Sequence, residues 1–212
     1  MTTVLPYGTI PEAVLCEEMA RVIARGGMVG VPTETFYGLA VNPFDPLAVT
    51  RLIHAKGRAD GKPILVLIGE QAQLTQVTDS ITPAAARLME AFWPGPLTIL
   101  FPAKPSLPAV LTAGTGTIGV RLTSCLVLQG LLRSVGPVTG TSANRSGAPP
   151  ATTAAQVVEA MGETVDLIID GGPTPGGAPS TVVEIQESVR IVRKGAVPKS
   201  LLQQVLQPHG HR

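Results

Sequence analysis

Short apolar runs alternate with segments of helical periodicity along most of this chain. Apolar side chains recur at helical spacing from Glu12 to Arg25, and Gly26-Gly27 then ends the segment. Met28 to Val31 has the character of a buried strand. Ile64 to Ile68 contains only Ile, Leu and Val, which is typical of a central strand buried on both faces. This alternation predicts a mixed α/β sheet with helices packed on it.

The remaining predicted elements follow the same alternation. Thr82 precedes Pro83 as an N-cap precedes the first helical position, which predicts a helix that runs to about Phe92. Further helices are predicted at 46–55, 126–135, 153–161 and 198–206, and further strands at 97–101, 117–122, 137–141, 166–170, 181–185 and 190–193. With no internal repeat or linker, we expect one domain over 1–212, with its core at about 8–200 and a tail at 207–212.

Composition argues against several classes of protein. The 16 Lys and Arg side chains nearly balance the 15 Asp and Glu side chains, so no overall charge drives binding to nucleic acid or an anionic membrane.

Cys16 and Cys125 lie in apolar stretches and are expected to be buried thiols, which fits a reducing cytoplasm. We expect no metal site, because no Cys/His/Asp cluster has ligand spacing. No apolar run is long enough to span a membrane.

A polar island stands out between two apolar runs. Hydroxyls, a carboxylate and a phenol occupy 31–40, and the cations Lys56, Arg58 and Lys62 follow. Such a cluster can bind a phosphate chain, with Lys as a movable charge and Arg as a fork that matches two oxygens. A solvated loop is the alternative interpretation, and the spacing alone does not decide between them.

Three other segments carry candidate binding groups. The segment Thr141 to Gly147 follows a predicted strand with hydroxyl and amide groups, which suits a nucleotide site or a plain turn. Arg121 lies inside an apolar strand and needs an anionic partner, which is either an internal carboxylate or a ligand. The Gly-rich segment from Gly171 to Thr181 suits a lid or an exposed connector. His54 is interpreted as a helix residue without a catalytic role. No motif in the sequence pairs a nucleophile with a general base, which argues against a serine hydrolase.

These segments, in this order, resemble the YrdC/Sua5 family. The similarity extends from about residue 12 to residue 200 and implies a YrdC-like twisted mixed α/β sheet, flanked by helices, with a large concave cavity. The chain is similar to the short, single-domain form of the family. The matching motifs are Pro32-Thr-Glu-Thr35 with Tyr37-Gly-Leu39, Lys56-x-Arg58, Trp93-Pro-Gly-Pro-Leu-Thr98, Ile118-Gly-Val-Arg121, Ser142-Ala-Asn144, Asp170-Gly-Gly172, Ser180-Thr181 and Arg193-x-Gly195.

The resemblance implies an L-threonylcarbamoyladenylate synthase. Its substrates would be L-threonine, bicarbonate or CO2, and ATP with Mg2+, and its products threonylcarbamoyl-AMP and pyrophosphate. The adenylate would serve the N6-threonylcarbamoyladenosine modification of tRNA position 37, with tRNA and threonylcarbamoyl-transferase proteins as partners. The alternative is an RNA- or tRNA-binding module of the same fold without synthase activity. The near-neutral charge and scarce aromatic residues weaken that alternative.

The resemblance also assigns roles to side chains in a cavity that joins two anionic substrates. The expected catalytic residues are Lys56, Arg58, Ser142 and Asn144. The expected ATP-binding residues are Lys56, Arg58, Lys62, Thr117, Ser142, Asn144 and Arg193. The expected threonine-binding residues are Thr35, Tyr37, Arg121, Ser180 and Thr181. Leu67 departs from the many relatives that carry a threonine-binding His at this position.

Overall fold

The computed structural model describes residues 2–57, 61–186 and 188–207, and the elements below are those of the described residues. The strands are β1 (Thr3–Pro6), β2 (Val29–Val31), β3 (Gly38–Ala40), β4 (Val66–Ile68), β5 (Leu97–Pro102), β6 (Thr117–Leu122), β7 (Val138–Thr139), β8 (Thr141–Ser142), β9 (Leu167–Asp170), β10 (Thr181–Ile185) and β11 (Val189–Arg193). The helices are α1 (Glu12–Ala24), α2 (Pro46–Lys56), α3 (Pro83–Phe92), α4 (Ala109–Thr112), α5 (Leu126–Val135), α6 (Ala154–Met161) and α7 (Lys199–Leu206). A 3-10 helix covers Gln71–Gln76.

The strands form two mixed sheets, which confirms the predicted α/β class. The five-stranded sheet has the order β1-β9-β2-β3-β8, and the six-stranded sheet has the order β11-β10-β5-β6-β4-β7. Parallel and antiparallel pairs occur in both: β2 is parallel to β9 but antiparallel to β3, and β5 is parallel to β10 but antiparallel to β6. Strand β4 is buried and lies between β6 and β7, as the apolar run at 64–68 predicted.

Helix boundaries follow the local signals closely. The Thr82 hydroxyl accepts a hydrogen bond from Ala85 N at 3.1 Å, so the predicted N-cap of α3 is confirmed. The Asp45 carboxylate caps α2 in the same way, through Leu47 N and Ala48 N. Gly57 ends α2 in the left-handed conformation, with a φ of 57° that a glycine adopts without steric cost. The end of α2 is therefore fixed one residue after Lys56.

The predicted single strand at 137–141 is wrong. The chain forms β7, which pairs with β4 in the six-stranded sheet, and then β8, which pairs with β3 in the five-stranded sheet. Gly140 lies between them, and a Cβ there would be 2.5 Å from Leu67 Cγ. The chain changes sheets at this glycine because only a residue without a side chain fits against Leu67.

The apolar side chains form two buried clusters. The larger one includes Tyr37, Leu52, Trp93 and Val120, and the smaller one lies between α1, α5 and β9 with Leu67 among its members. Strands β1 and β3, the 3-10 helix and α4 were not predicted. No helix in the described ranges combines the length and apolar character needed to cross a membrane.

Candidate functional site

A cavity of about 1010 Å³ lies against the six-stranded sheet and the β3–β8 edge of the other sheet. Thr98 and Leu100 of β5 line it, as do Thr117, Gly119 and Arg121 of β6. These positions alternate along each strand, so their side chains share one face of the sheet. The polar side chains that line the cavity belong to Thr33, Thr35, Tyr37, Lys56, Lys62, Thr98, Thr117, Arg121, Thr141, Ser142, Asn144, Ser146, Ser180 and Arg193.

Most of the predicted site residues therefore meet at one cavity. They come from α2, from both sheets and from loops more than a hundred residues apart in sequence. Among the described residues that line the cavity, none is Asp or Glu, whereas Lys56, Lys62, Arg121 and Arg193 are cationic. This charge distribution suits an anionic ligand. Arg58 lies outside the described residues, so its predicted place in the site is not assigned.

Lys56 is buried and bound to the loop after β8. Its Nζ donates to Ser142 O at 2.5 Å and Asn144 O at 2.8 Å, and it lies 3.4 Å from Asn144 Oδ1. Ser146 N in turn donates to Lys56 O at 2.8 Å. An ammonium group has three donors, and these oxygens can accept all of them. Lys56 thus holds the loop and supplies charge, and its role as a phosphate ligand stays a prediction.

The side chains of Ser142 and Asn144 complete the same network. The Ser142 hydroxyl donates to Asn144 Oδ1 at 2.5 Å, and Asn144 Nδ2 donates to Arg145 O at 2.9 Å and Ala148 O at 2.6 Å. The Asn144 amide is therefore fully used within the protein. The loop from Ser142 to Gly147 presents a shape that these side chains determine.

The other predicted nucleotide residues lie on the cavity rim. Lys62 is exposed, and the Thr117 hydroxyl is 3.1 Å from that of Thr115. Arg193 is also exposed, and its Nη2 donates to Ser180 O and to Ser180 Oγ, each at 2.9 Å. Arg193 therefore supports the segment before β10, and Lys62 and Arg193 are both exposed cations that line the cavity.

The hydroxyls predicted to bind threonine differ in their placement. Thr35 and Ser180 are buried, line the cavity and contact the hydroxyls of Thr33 and Thr98, at 3.2 Å and 2.9 Å respectively. Thr181 does not line the cavity. Its hydroxyl donates to Val197 O at 2.7 Å and accepts from Val197 N at 3.0 Å. Thr35 and Ser180 thus line the same cavity, whereas the Thr181 hydroxyl is bonded to the backbone of Val197.

Tyr37 lines the cavity but its side chain is fully buried. Its hydroxyl is 2.8 Å from Gly172 O and 3.3 Å from Asp170 Oδ1. Burial, and then the charge of Asp170, raises the pKa of the Tyr37 phenol well above its ordinary value. Tyr37 therefore ties the loop that begins at Gly171 to the core and remains protonated.

Arg121 has an internal anionic neighbour and also faces the cavity. Its Nε is 3.4 Å from Glu34 Oε1, and the Arg121 side chain is buried whereas that of Glu34 is partly exposed, with exposed fractions of 6% and 11%. Burial lowers the pKa of the Arg121 guanidinium, whereas the Glu34 carboxylate opposes that shift. The two interpretations of Arg121 are therefore compatible, because Glu34 stands on the Nε side while the residue lines the cavity.

Two neighbours of Arg121 were not given roles from the sequence. Thr123 donates its hydroxyl to Glu34 Oε2 at 2.5 Å. Leu67 pairs with Arg121 in the β4–β6 register, lines the cavity and is fully buried. The sequence feature that could have indicated Thr123 is a hydroxyl directly after an apolar strand. For its partner Glu34, the feature is its place in the polar segment 31–40.

Comparison with known proteins shows the family of this chain. The Sua5/YciO/YrdC family model, described as "Telomere recombination", matches residues 21–195. The chain is 37% identical over 189 residues to the threonylcarbamoyl-AMP synthase of Pyrococcus abyssi, covering 88% of this chain and 56% of the relative. It is 35% identical to the threonylcarbamoyl-AMP synthase of Bacillus subtilis, covering 90% and 56%. The chain thus spans little more than half the length of these curated relatives.

Solved structures give the same result for the fold. The crystal structure of P. abyssi Sua5 complexed with L-threonine matches with a TM-score of 0.90 and 33% identity, covering 98% of this chain and 61% of that one. E. coli YciO matches with a TM-score of 0.80 and 25% identity, covering 92% and 95%. The family model covers most of the chain, and the fold agrees over nearly all of it. The chain belongs to the Sua5/YciO/YrdC family.

Proposed function

We propose that this chain is one domain with the activity of a threonylcarbamoyl-AMP synthase. The observation that carries the proposal is that the buried Arg121 and the Lys56–Ser142–Asn144 network line one cavity. Arg121 offers a guanidinium to a small carboxylate. The loop from Ser142 to Gly147 is held in one conformation, with the positive charge of Lys56 bonded to it. The relatives named threonylcarbamoyl-AMP synthase support the activity.

L-Threonine is the proposed amino-acid substrate. Arg121 binds its carboxylate through the guanidinium fork, and Thr35 and Ser180 bind its amino and hydroxyl groups. Leu67, buried beside Arg121, gives this end of the cavity an apolar wall. The threonine complex of the structurally similar P. abyssi Sua5 supports this assignment. Tyr37 supports the pocket through its hydrogen bond to Gly172 O. Thr181 has only a supporting role, because its hydroxyl is hydrogen-bonded to the backbone N and O of Val197.

ATP is the proposed second substrate. Its phosphates lie against the loop from Ser142 to Gly147, whose backbone the Lys56 ammonium and the Asn144 amide hold in place. Lys62, Thr117 and Arg193 add charge and hydrogen bonds from the cavity lining. Arg58 is proposed as a further ATP-binding residue, and it lies outside the described residues. The cavity volume, about 1010 Å³, is at the upper end of the usual range for ligand pockets, as two substrates require.

Mg2+ is proposed to enter as the counter-ion of ATP. No cluster of three potential metal ligands occurs in the described ranges, and no described residue that lines the cavity is a carboxylate. The side chains that could hold such an ion near the phosphates are the hydroxyls of Ser142 and Ser146. This suits Mg2+, which in nucleotide sites is held largely by phosphates and water. When bound, it would neutralise phosphate charge.

The proposed reaction joins two anions. The threonine amine and CO2 give the N-carboxylate and release a proton, and with bicarbonate as the source the by-product is water. An oxygen of the N-carboxylate then attacks the α-phosphorus of ATP while the bond to pyrophosphate breaks. Because both reactants are negative, the main work of the protein is neutralisation and alignment. Arg121 holds one reactant, and the Lys56 network holds the loop against the other. The adenylate is then passed to a transferase for tRNA position 37, in the cytoplasm.

The direct test is threonine-dependent release of pyrophosphate. Folded protein with ATP, bicarbonate, Mg2+ and L-threonine should release pyrophosphate and form threonylcarbamoyl-AMP, detectable by mass spectrometry. Omitting threonine or bicarbonate is the control and should abolish the signal. Folded protein that binds tRNA but releases no pyrophosphate under these conditions would refute the synthase assignment in favour of an RNA-binding module.

A further inference from the structure

The carboxylate of Glu34 lies next to Arg121 without lining the cavity itself. Glu34 Oε1 is 3.4 Å from Arg121 Nε, within ion-pair distance, yet the two atoms do not make a hydrogen bond. Both atoms are inaccessible to solvent, and neither has another hydrogen-bond partner. Buried ion pairs usually engage fully, because an unsatisfied charged group is costly. The two atoms are thus close enough for an ion pair but are not oriented for a direct hydrogen bond.

The other oxygen of Glu34 is occupied by Thr123. The Thr123 hydroxyl donates to Glu34 Oε2 at 2.5 Å, and it accepts from Cys125 N at 3.2 Å, so its one proton is directed at the carboxylate. Thr123 is itself fully buried, and Gln129 Nε2 donates to its carbonyl at 2.6 Å. These contacts fix Thr123 at the start of the turn into α5.

This arrangement leaves the fork of Arg121 open. A guanidinium and a carboxylate form a bidentate pair when both oxygens face the guanidinium, whereas Glu34 places Oε1 near Nε and holds Oε2 at the Thr123 hydroxyl. Within the described ranges, the structure records no hydrogen bond from the terminal nitrogens of Arg121, and the residue lines the cavity. The geometry therefore separates the two sides of the guanidinium, with Glu34 near Nε and the cavity open to the fork.

We propose that Thr123 and Glu34 are positioning residues that keep the fork of Arg121 available to the carboxylate of an amino-acid substrate. Glu34 balances the charge of Arg121, and Thr123 prevents Glu34 from forming a two-pronged pair with it. Without the Thr123 hydroxyl, Glu34 turns both oxygens to Arg121 and competes with the substrate carboxylate. The inference rests on the proposed function and extends it to two residues outside the cavity lining.

Calorimetric titration of the full chain tests this with two ligands. L-Threonine carries the carboxylate, and L-threoninamide lacks it. Thr123→Val keeps the shape of the side chain but removes the hydroxyl, and Thr123→Ser keeps the hydroxyl as a matched control. Thr123→Val should raise the Kd for L-threonine about tenfold, as expected for one lost charge-assisted hydrogen bond, and leave the Kd for L-threoninamide unchanged. Thr123→Ser should resemble the wild type.

A double-mutant cycle with Glu34→Gln separates positioning from a general effect on folding. Because the competing charge is absent in that background, adding Thr123→Val should change the Kd for L-threonine by less than about twofold. Thermal denaturation checks that each variant is folded, and Thr123→Ala provides a second hydroxyl-free variant with the same expected rise.

The outcomes distinguish this inference from the function on which it rests. Equal weakening of both ligands, an unchanged Kd in the hydroxyl-free variants, or an effect that persists in the Glu34→Gln background would overturn the positioning role while leaving threonine binding intact. Wild-type protein that binds no L-threonine would instead refute the proposed function, and the positioning role with it.

Discussion

Replacement of Lys56 by Met should cost both stability and ATP binding, unlike loss of an ordinary phosphate-binding cation. Met fills a similar volume but cannot donate to Ser142 O or Asn144 O, which accept from Nζ at 2.5 Å and 2.8 Å. Hydrogen bonds to charged groups contribute about 1.5–3 kcal/mol each. Because the site is partly open to water, which can replace some of these bonds, we expect a net loss of about 3 kcal/mol in the free energy of unfolding.

This loss should lower the melting temperature by about 6–12 °C for a chain of this size. The matched control is Lys62→Met, since Lys62 also lines the cavity but is exposed. That variant should keep the wild-type melting temperature and weaken ATP binding about fivefold, as the loss of one surface charge predicts. Calorimetry for ATP and thermal denaturation measure the two effects on the same samples. A Lys56→Met protein with weakened ATP binding but an unchanged melting temperature would refute the network and favour a free phosphate-binding cation.

Two further perturbations test other parts of the structure. The raised pKa of Tyr37 means that its protonated form contributes stability that is complete below the ordinary phenol pKa of about 10 and is lost as pH rises above it. Urea denaturation from pH 8 to 11 should therefore show a steeper alkaline loss for the wild type than for Tyr37→Phe, and parallel curves would contradict the buried hydroxyl contact. Gly195→Ala should destabilise the fold by more than about 2 kcal/mol, because its Cβ would lie 2.2 Å from Pro179 O. Gly38→Ala, whose Cβ would lie no closer than 3.5 Å to another atom, is the control for the same denaturation measurement, and equal stabilities would contradict the predicted clash.

Local sequence signals identified most elements but not those that depend on distant partners. Helix α5 and strand β10 were predicted to the residue, since each is a short apolar segment with clear limits. Strand β3 was missed because Gly38-Leu39-Ala40 has little strand propensity of its own. It becomes a strand by pairing with β2 and β8 on its two sides. The break at Gly140 was missed for the same reason, because it depends on which sheet each half joins.

For the candidate site, the lining residues could be predicted, but the contacts between them could not. The resemblance to the family predicted Lys56, Arg121, Ser142 and Asn144 as residues of one cavity, and all four line it. It did not predict that Lys56 would donate to carbonyls 86 and 88 residues away, or that Thr123 would donate to a carboxylate 89 residues away. These pairs depend on the spatial order of the strands, and no spacing along the chain encodes that order.

The crossing at Gly140 restricts how chains of this kind can change length. Thr139 pairs with Val66 in one sheet and Thr141 pairs with Leu39 in the other, so a single residue separates two hydrogen-bond registers. An added residue here would shift one of the two strands by one position and turn its side chains to the opposite face. Natural or engineered insertions are therefore restricted to loops that connect elements without such pairing, and homologous chains should keep this crossing at constant length.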